Sequence, residues 1–247
     1  TNAGQGLDDP TATTRFDWTP AGFHAIIFGL SGTVYIDPFS RNDTTHYISY
    51  YASDFVPSST KSYVEILPFG EDSEAMQAEL AELVEQGVLP PTGSQLRTYR
   101  LAMAATGEYT TFHGGTVPLG LAAIVTSVNR VDGVYEREVA VRMELIANNS
   151  LIVYTNASTD PYTNSNGVTM LTQNQTNLDT VIGSANYDIG HVFSTGGGGV
   201  AGLGVVCRAG QKARGVTGSS APVGDPYDID YVAHEIGHQY GGNHSFN

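Results

Sequence analysis

From His234 to His244 the chain reads HEIGHQYGGNH, and this run constrains the fold more than any other part of the sequence. Two histidines four residues apart share one face of a helix, one turn above the other, so both imidazoles can reach one tetrahedral ion. The preceding DIDYVA supplies that helix. Asp228 or Asp230 can cap its start, while Ile229, Val232, Ala233 and Ile236 form a face to lay against a sheet. Gly241 follows three residues after His238. Glycine there accepts left-handed backbone, ends the helix and turns the chain so that His244 becomes the third ligand. Three protein ligands leave the fourth position of a zinc open, as in catalytic sites. Glu235, next to the first ligand, is placed to take a proton from a zinc-bound water as that water attacks a carbonyl.

Composition narrows the class further. The 247 residues are 40% hydrophobic, with no apolar run long enough to span a bilayer, which predicts a soluble globular chain of one large or two small domains. The net charge is −14 although only 15% of residues are charged. The polar surface is therefore mostly Ser, Thr, Asn and Gly, which suits an extracellular protein and argues against a nucleic-acid or membrane partner. Cys207 is the single cysteine, so no disulfide can form within the chain. The opening TNAGQGLDDPTATT carries neither a basic nor an apolar leader region, the mark of a cytosolic chain or of one whose signal peptide has been removed.

The first third is β-rich. Strands are expected at 22–29, 32–39, 45–55 and 62–69, where β-branched and aromatic residues run between Gly, Pro, Asp and Asn. Residues 71–87 form an amphipathic helix with Met76, Leu80, Leu83 and Val84 on one stripe, and 89–95 read as a linker. Beyond it, strands are expected at 96–110, 139–146, 188–195 and 199–207, and helices at 118–138 and 170–183. This alternation predicts a mixed sheet with helices against it.

With its glycine and third histidine, the motif resembles that of the metzincin metallopeptidases. The stretches LRTYRLAMAATGEYT, GGGGVAGLGVVC and ARGVTG ahead of DYVAHEIGHQYGGNH look like the reprolysin-like, adamalysin-type branch found in secreted bacterial proteases. The resemblance covers 96–247. It implies an α+β zincin domain in which a twisted, mixed five-stranded sheet and an active-site helix form the cleft. It also implies a secreted zinc endopeptidase, made as a zymogen and carrying one zinc per chain. The edge strand expected at 199–206 would run antiparallel to a protein or peptide substrate, with Gly199, Val200, Ala201, Gly202, Leu203 and Gly204 along it. Residues 1–90 would then be a β-rich pro-region or accessory domain, and 91–247 the N-terminal subdomain of the catalytic unit.

Two features depart from the family pattern. Ser245 follows the third histidine where reprolysins typically carry Asp, and all four methionines precede the motif, so the methionine turn expected beneath the zinc is absent. The expectation is a C-terminally truncated chain, with Cys207 disulfide-linked to the missing part of the same protein. The alternative to a protease is a non-catalytic, metal-stabilised protein-binding module, or an inactive fragment. Asp8, Asp9, Glu71 and Asp72 are candidates for holding the zymogen latent, since no cysteine precedes residue 207. NASTDPYTN at 156–164 gathers oxygens suited either to a turn or to a calcium ion. His24, His46, His113 and His191 stand alone in the sequence and read as structural.

Overall fold

The computed structural model describes residues 2–41, 43–55 and 95–244. The strand expected at 62–69, the helix at 71–87 and all but the last residue of the linker lie outside them. The described residues build two five-stranded sheets. The first is an antiparallel meander in chain order: β1 Asn2–Gln5, β2 Thr13–Thr19, β3 Gly22–Gly29, β4 Gly32–Pro38 and β5 Tyr47–Tyr51. Two-residue links join β2 to β3 and β3 to β4, and Gly22 and Gly32 leave those turns at φ 114° and 119°. Strand β2 was not foreseen because its alternation is inverted. Arg15 and Asp17 face inward and are buried, whereas Trp18 on the opposite face is 78% exposed.

The second sheet is mixed, with order β7-β6-β8-β10-β9. Strand β6 (Arg97–Ala105) runs parallel to β7 (Val141–Leu145) and to β8 (Ile189–Ser194). Strand β10 (Gly215–Gly218) is parallel to β8, and β9 (Gly199–Ala201) closes the edge antiparallel to β10. Both faces are covered. Leu101, Met103 and Ala105 point into one apolar cluster and Ala102 and Ala104 into the other, so the strand reads as an unbroken apolar run.

The expected strand at 96–110 is too long. It stops at Ala105, where the Thr106 hydroxyl accepts from the Tyr109 N–H and caps helix α1 (Gly107–Phe112). Helix α2 (Val117–Val139) is capped by Thr116 and ends at Ala140, which takes φ 55°. Ile124, Val128, Val131 and Tyr135 lay α2 on the second sheet, while its opposite face receives the first sheet. Helix α3 (Gly167–Val181), capped by Asn166, packs Met170, Leu171 and Leu178 on the other side of the second sheet. The strand expected at 199–207 also shortens, to three residues. Gly204 at φ 59° and Cys207 at φ 63° turn the chain away from extended backbone. Strand β10 was not foreseen, because only four residues, two of them glycine, form it.

The contact between the first sheet and α2 is charged. Arg15 pairs with Glu136, Thr126 donates to Asp17 at 3.0 Å, and Arg130 pairs with Asp37. Within α2, Asp132 accepts from the Met143 N–H at 2.8 Å, and burial pushes its carboxyl up to about 7. A raised carboxyl pKa means the folded state binds the proton more tightly than the unfolded chain, so stability is lost as pH rises from about 4 to about 7. Asp132→Asn keeps the acceptor without the charge. Its gain in unfolding free energy is expected to grow by about 1.4 kcal/mol per pH unit over that window. Urea titrations at pH 5 and pH 8 check this, and an equal gain at both would refute it.

Candidate metal centre

The helix that carries the histidines starts with one turn at Asp225–Tyr227, passes through a π-helical turn at Asp228–Val232 and ends in α4, Ala233–Gln239. Neither Asp228 nor Asp230 caps it: the residue before the first turn is Gly224, and Asp228 instead points into α2. Tyr227, Tyr231, Val232 and Ile236 bury the helix in the cluster shared by α2 and the second sheet. The Tyr135 hydroxyl donates to the Ala233 carbonyl at 2.7 Å, just where the π turn gives way to α4.

Helical spacing and the turn that follows bring three imidazoles together. Nε2 of His234 lies 3.0 Å from Nε2 of His238 and 3.2 Å from Nε2 of His244. Gly241 makes this possible at φ 101°, with its N–H on the His238 carbonyl at 2.9 Å. Nδ1 of His238 lies 2.7 Å from the Gly242 carbonyl. A carbonyl only accepts, so Nδ1 carries the proton and the Nε2 lone pair faces the other two rings. Nitrogens bound to one tetrahedral zinc at 2.0–2.1 Å sit roughly 3.3 Å apart, close to the observed spacing. Among the described residues, these three form the group of side chains able to hold a metal ion.

Glu235 is fully buried beside them. It lies against β9, where a side chain at Gly199 would collide with the Glu235 carboxylate and the Tyr231 ring. The carboxylate and the edge of the sheet are therefore in contact. Gly199, Val200 and Ala201 form the edge strand, and the Gly202 N–H still bonds Arg214 at 2.8 Å. Leu203 and Gly204 leave it. The Gly204 N–H donates to the His238 carbonyl at 2.9 Å and the Val206 N–H to the Gln239 carbonyl at 3.2 Å, so this loop caps the end of α4. The edge available for strand pairing is thus shorter than the expected 199–206.

Residues that the motif does not contain support the helix from below. The Gln239 side chain donates to the Gly190 carbonyl at 2.8 Å, so its oxygen faces Nδ1 of His191 at 2.7 Å. His191 Nδ1 then carries the proton, and Nε2 accepts from the Thr217 hydroxyl at 2.8 Å. His191 is fully buried, and burial pulls its pKa down to about 4. His113 packs against the Tyr109 and Phe112 rings, and burial lowers it to about 4 as well. Both histidines are neutral structural groups. A lone histidine in the apolar run DIGHVFS was the one sign of this support.

The remaining candidates lie elsewhere. Asp160 accepts from the Gly107 N–H at 2.6 Å and the Tyr162 N–H at 2.9 Å, so its oxygens brace a turn, where calcium was the alternative. Asp9 closes the β1–β2 turn by accepting from Thr11. Neither Asp8 nor Asp9 joins the three histidines, and Glu71 and Asp72 lie outside the described residues. Cys207 is exposed on the loop between β9 and β10. No described helix is long and apolar enough to cross a membrane.

A family model described as metallopeptidase family M12B, reprolysin-like, matches residues 95–247. No curated protein matches the chain.

Proposed function

The chain belongs to the reprolysin-like metallopeptidases of family M12B, and we propose that it is a zinc endopeptidase whose metal is held by His234, His238 and His244. The observation that carries this reading is the meeting of three imidazoles, with Nε2 of His234 at tetrahedral-edge spacing from Nε2 of both His238 and His244, and with Nδ1 of His238 already committed to a carbonyl. When bound, zinc supplies Lewis acidity to the scissile carbonyl and to the attacking water. Glu235 removes the proton from that water and delivers it to the nitrogen that leaves. The contact between Glu235 and Gly199 supports this role, because a peptide paired with β9 would run past the carboxylate. Burial of Glu235 strengthens any charge interaction it makes there. Cys207, exposed near this edge, would join a cysteine outside the present sequence, and the enzyme would work after export.

Protein prepared without chelators is expected to contain about one zinc per chain by elemental analysis. Exhaustive dialysis against a chelator should remove it and lower the melting temperature, because a ligand that binds only the folded state stabilises it. His238→Ala should fail to regain the metal. Protein that holds essentially no zinc before dialysis would overturn the assignment.

A further inference from the structure

Six residues before His234, the active-site helix is anchored by groups that come partly from the first sheet. Asp228 is 2% exposed. One of its carboxylate oxygens accepts from the Ser127 hydroxyl and the other from Nη1 of Arg130 at 3.0 Å. Arg130 is equally buried, and its Nη2 donates to Asp37 on β4. The Tyr50 hydroxyl donates to the second oxygen of Asp37 at 2.9 Å. Two residues earlier on β4, and so on the same face, the Tyr35 hydroxyl donates to Asp225 in the first turn of the helix. The Arg130 guanidinium lies over the Tyr35 ring, 4.9 Å from its centre.

This arrangement depends on the shape of arginine. The two arms of one guanidinium reach two carboxylates, one on the first sheet and one on the active-site helix, which a single ammonium could not do in this geometry. Arg130 and Asp228 are buried, and buried charges that lose a partner are strongly destabilising. The π turn lies between this anchor and His234. If it relaxed to ordinary α-helix, the residues beyond would swing by about a quarter turn about the axis, carrying the histidines and Glu235 with them.

We propose that Tyr35 and Asp37 are positioning residues for the metal centre. The first sheet acts on the zinc from behind, by fixing the start of the helix that carries His234 and Glu235. This inference rests on the reading of the three histidines as zinc ligands.

Zinc affinity of the full chain, measured by competition with a chromogenic chelator, tests it. Tyr35→Phe removes one hydroxyl and Asp37→Asn one charge, and each is expected to weaken zinc binding by up to about tenfold, the lower end of what direct partners of metal ligands contribute, because both act only through the start of the helix. Arg130→Lys, which keeps the charge and loses the fork, should do the same. Arg15→Gln serves as the control: it breaks the Arg15–Glu136 pair between the first sheet and α2 and should leave zinc affinity at the wild-type value. Melting of the metal-free variants, followed in parallel, shows whether each remains folded. Tyr35→Phe is the mildest change and carries the test if Asp37→Asn does not fold. Wild-type affinity in both Tyr35→Phe and Asp37→Asn overturns the proposal, as does an equal loss in Arg15→Gln. A wild-type chain that takes up no zinc overturns the ligand assignment and this inference with it.

Discussion

Glu235→Gln is expected to lower peptide turnover by about a hundredfold to ten-thousandfold while zinc content stays at the wild-type level. Glutamine matches glutamate in size, and the site is tightly packed, with Glu235 fully buried against Gly199 and Tyr231. The substitution therefore removes basicity and charge with little change in shape. If Glu235 takes the proton from the attacking water, kcat should fall far more than KM changes, because the lost interaction belongs to the transition state. Parallel assays of kcat, KM and zinc per chain, on protein whose unmodified form cleaves peptides, separate the alternatives. Undiminished kcat would remove Glu235 from the mechanism. Loss of zinc along with activity would show that the carboxylate helps to build the site.

His191→Ala is expected to cost about 3 kcal/mol of stability, measured by urea unfolding of the metal-free chain. The change opens a cavity between the second sheet and α4 and leaves the buried Gln239 oxygen and Thr217 hydroxyl without the ring that joins them. A second signature separates this histidine from a generic core residue. Its folded pKa, about 4, lies below the ordinary value of 6.5. Below pH 6.5 the unfolded chain binds a proton that the folded chain refuses, so stability falls as pH drops from about 6.5 to about 4. His191 contributes about 1.4 kcal/mol per pH unit to that slope, and His113 contributes in the same direction. In His191→Ala the slope should be shallower by one histidine's share. Equal slopes for the two proteins would contradict a buried neutral ring.

The HEIGHQYGGNH motif was legible because everything it needs is local. Helical spacing aligns His234 with His238, and one glycine at positive φ returns His244 to them. Helix α2 and strands β6 and β8 were legible for a similar reason: long apolar patterns act within a few residues. Two errors came where the partner was distant. Strand β2 escaped because its inward face carries Arg15 and Asp17, which are matched by Glu136 and Thr126 on α2. Asp228 looked like a helix cap, yet its partners are Ser127 and Arg130, about a hundred positions earlier.

The sequence by itself thus determined the local arrangement, three histidines that converge with a carboxylate beside them, because neighbouring residues on one helix and one turn suffice for it. The tertiary structure alone decided what holds that centre in place: the His191–Gln239 clamp beneath α4 and the Asp37–Arg130–Asp228 chain of charges behind it. Buried polar groups are stable only where each finds its partner. Those partners lie on elements far apart in the chain, and no local pattern records which of them will meet.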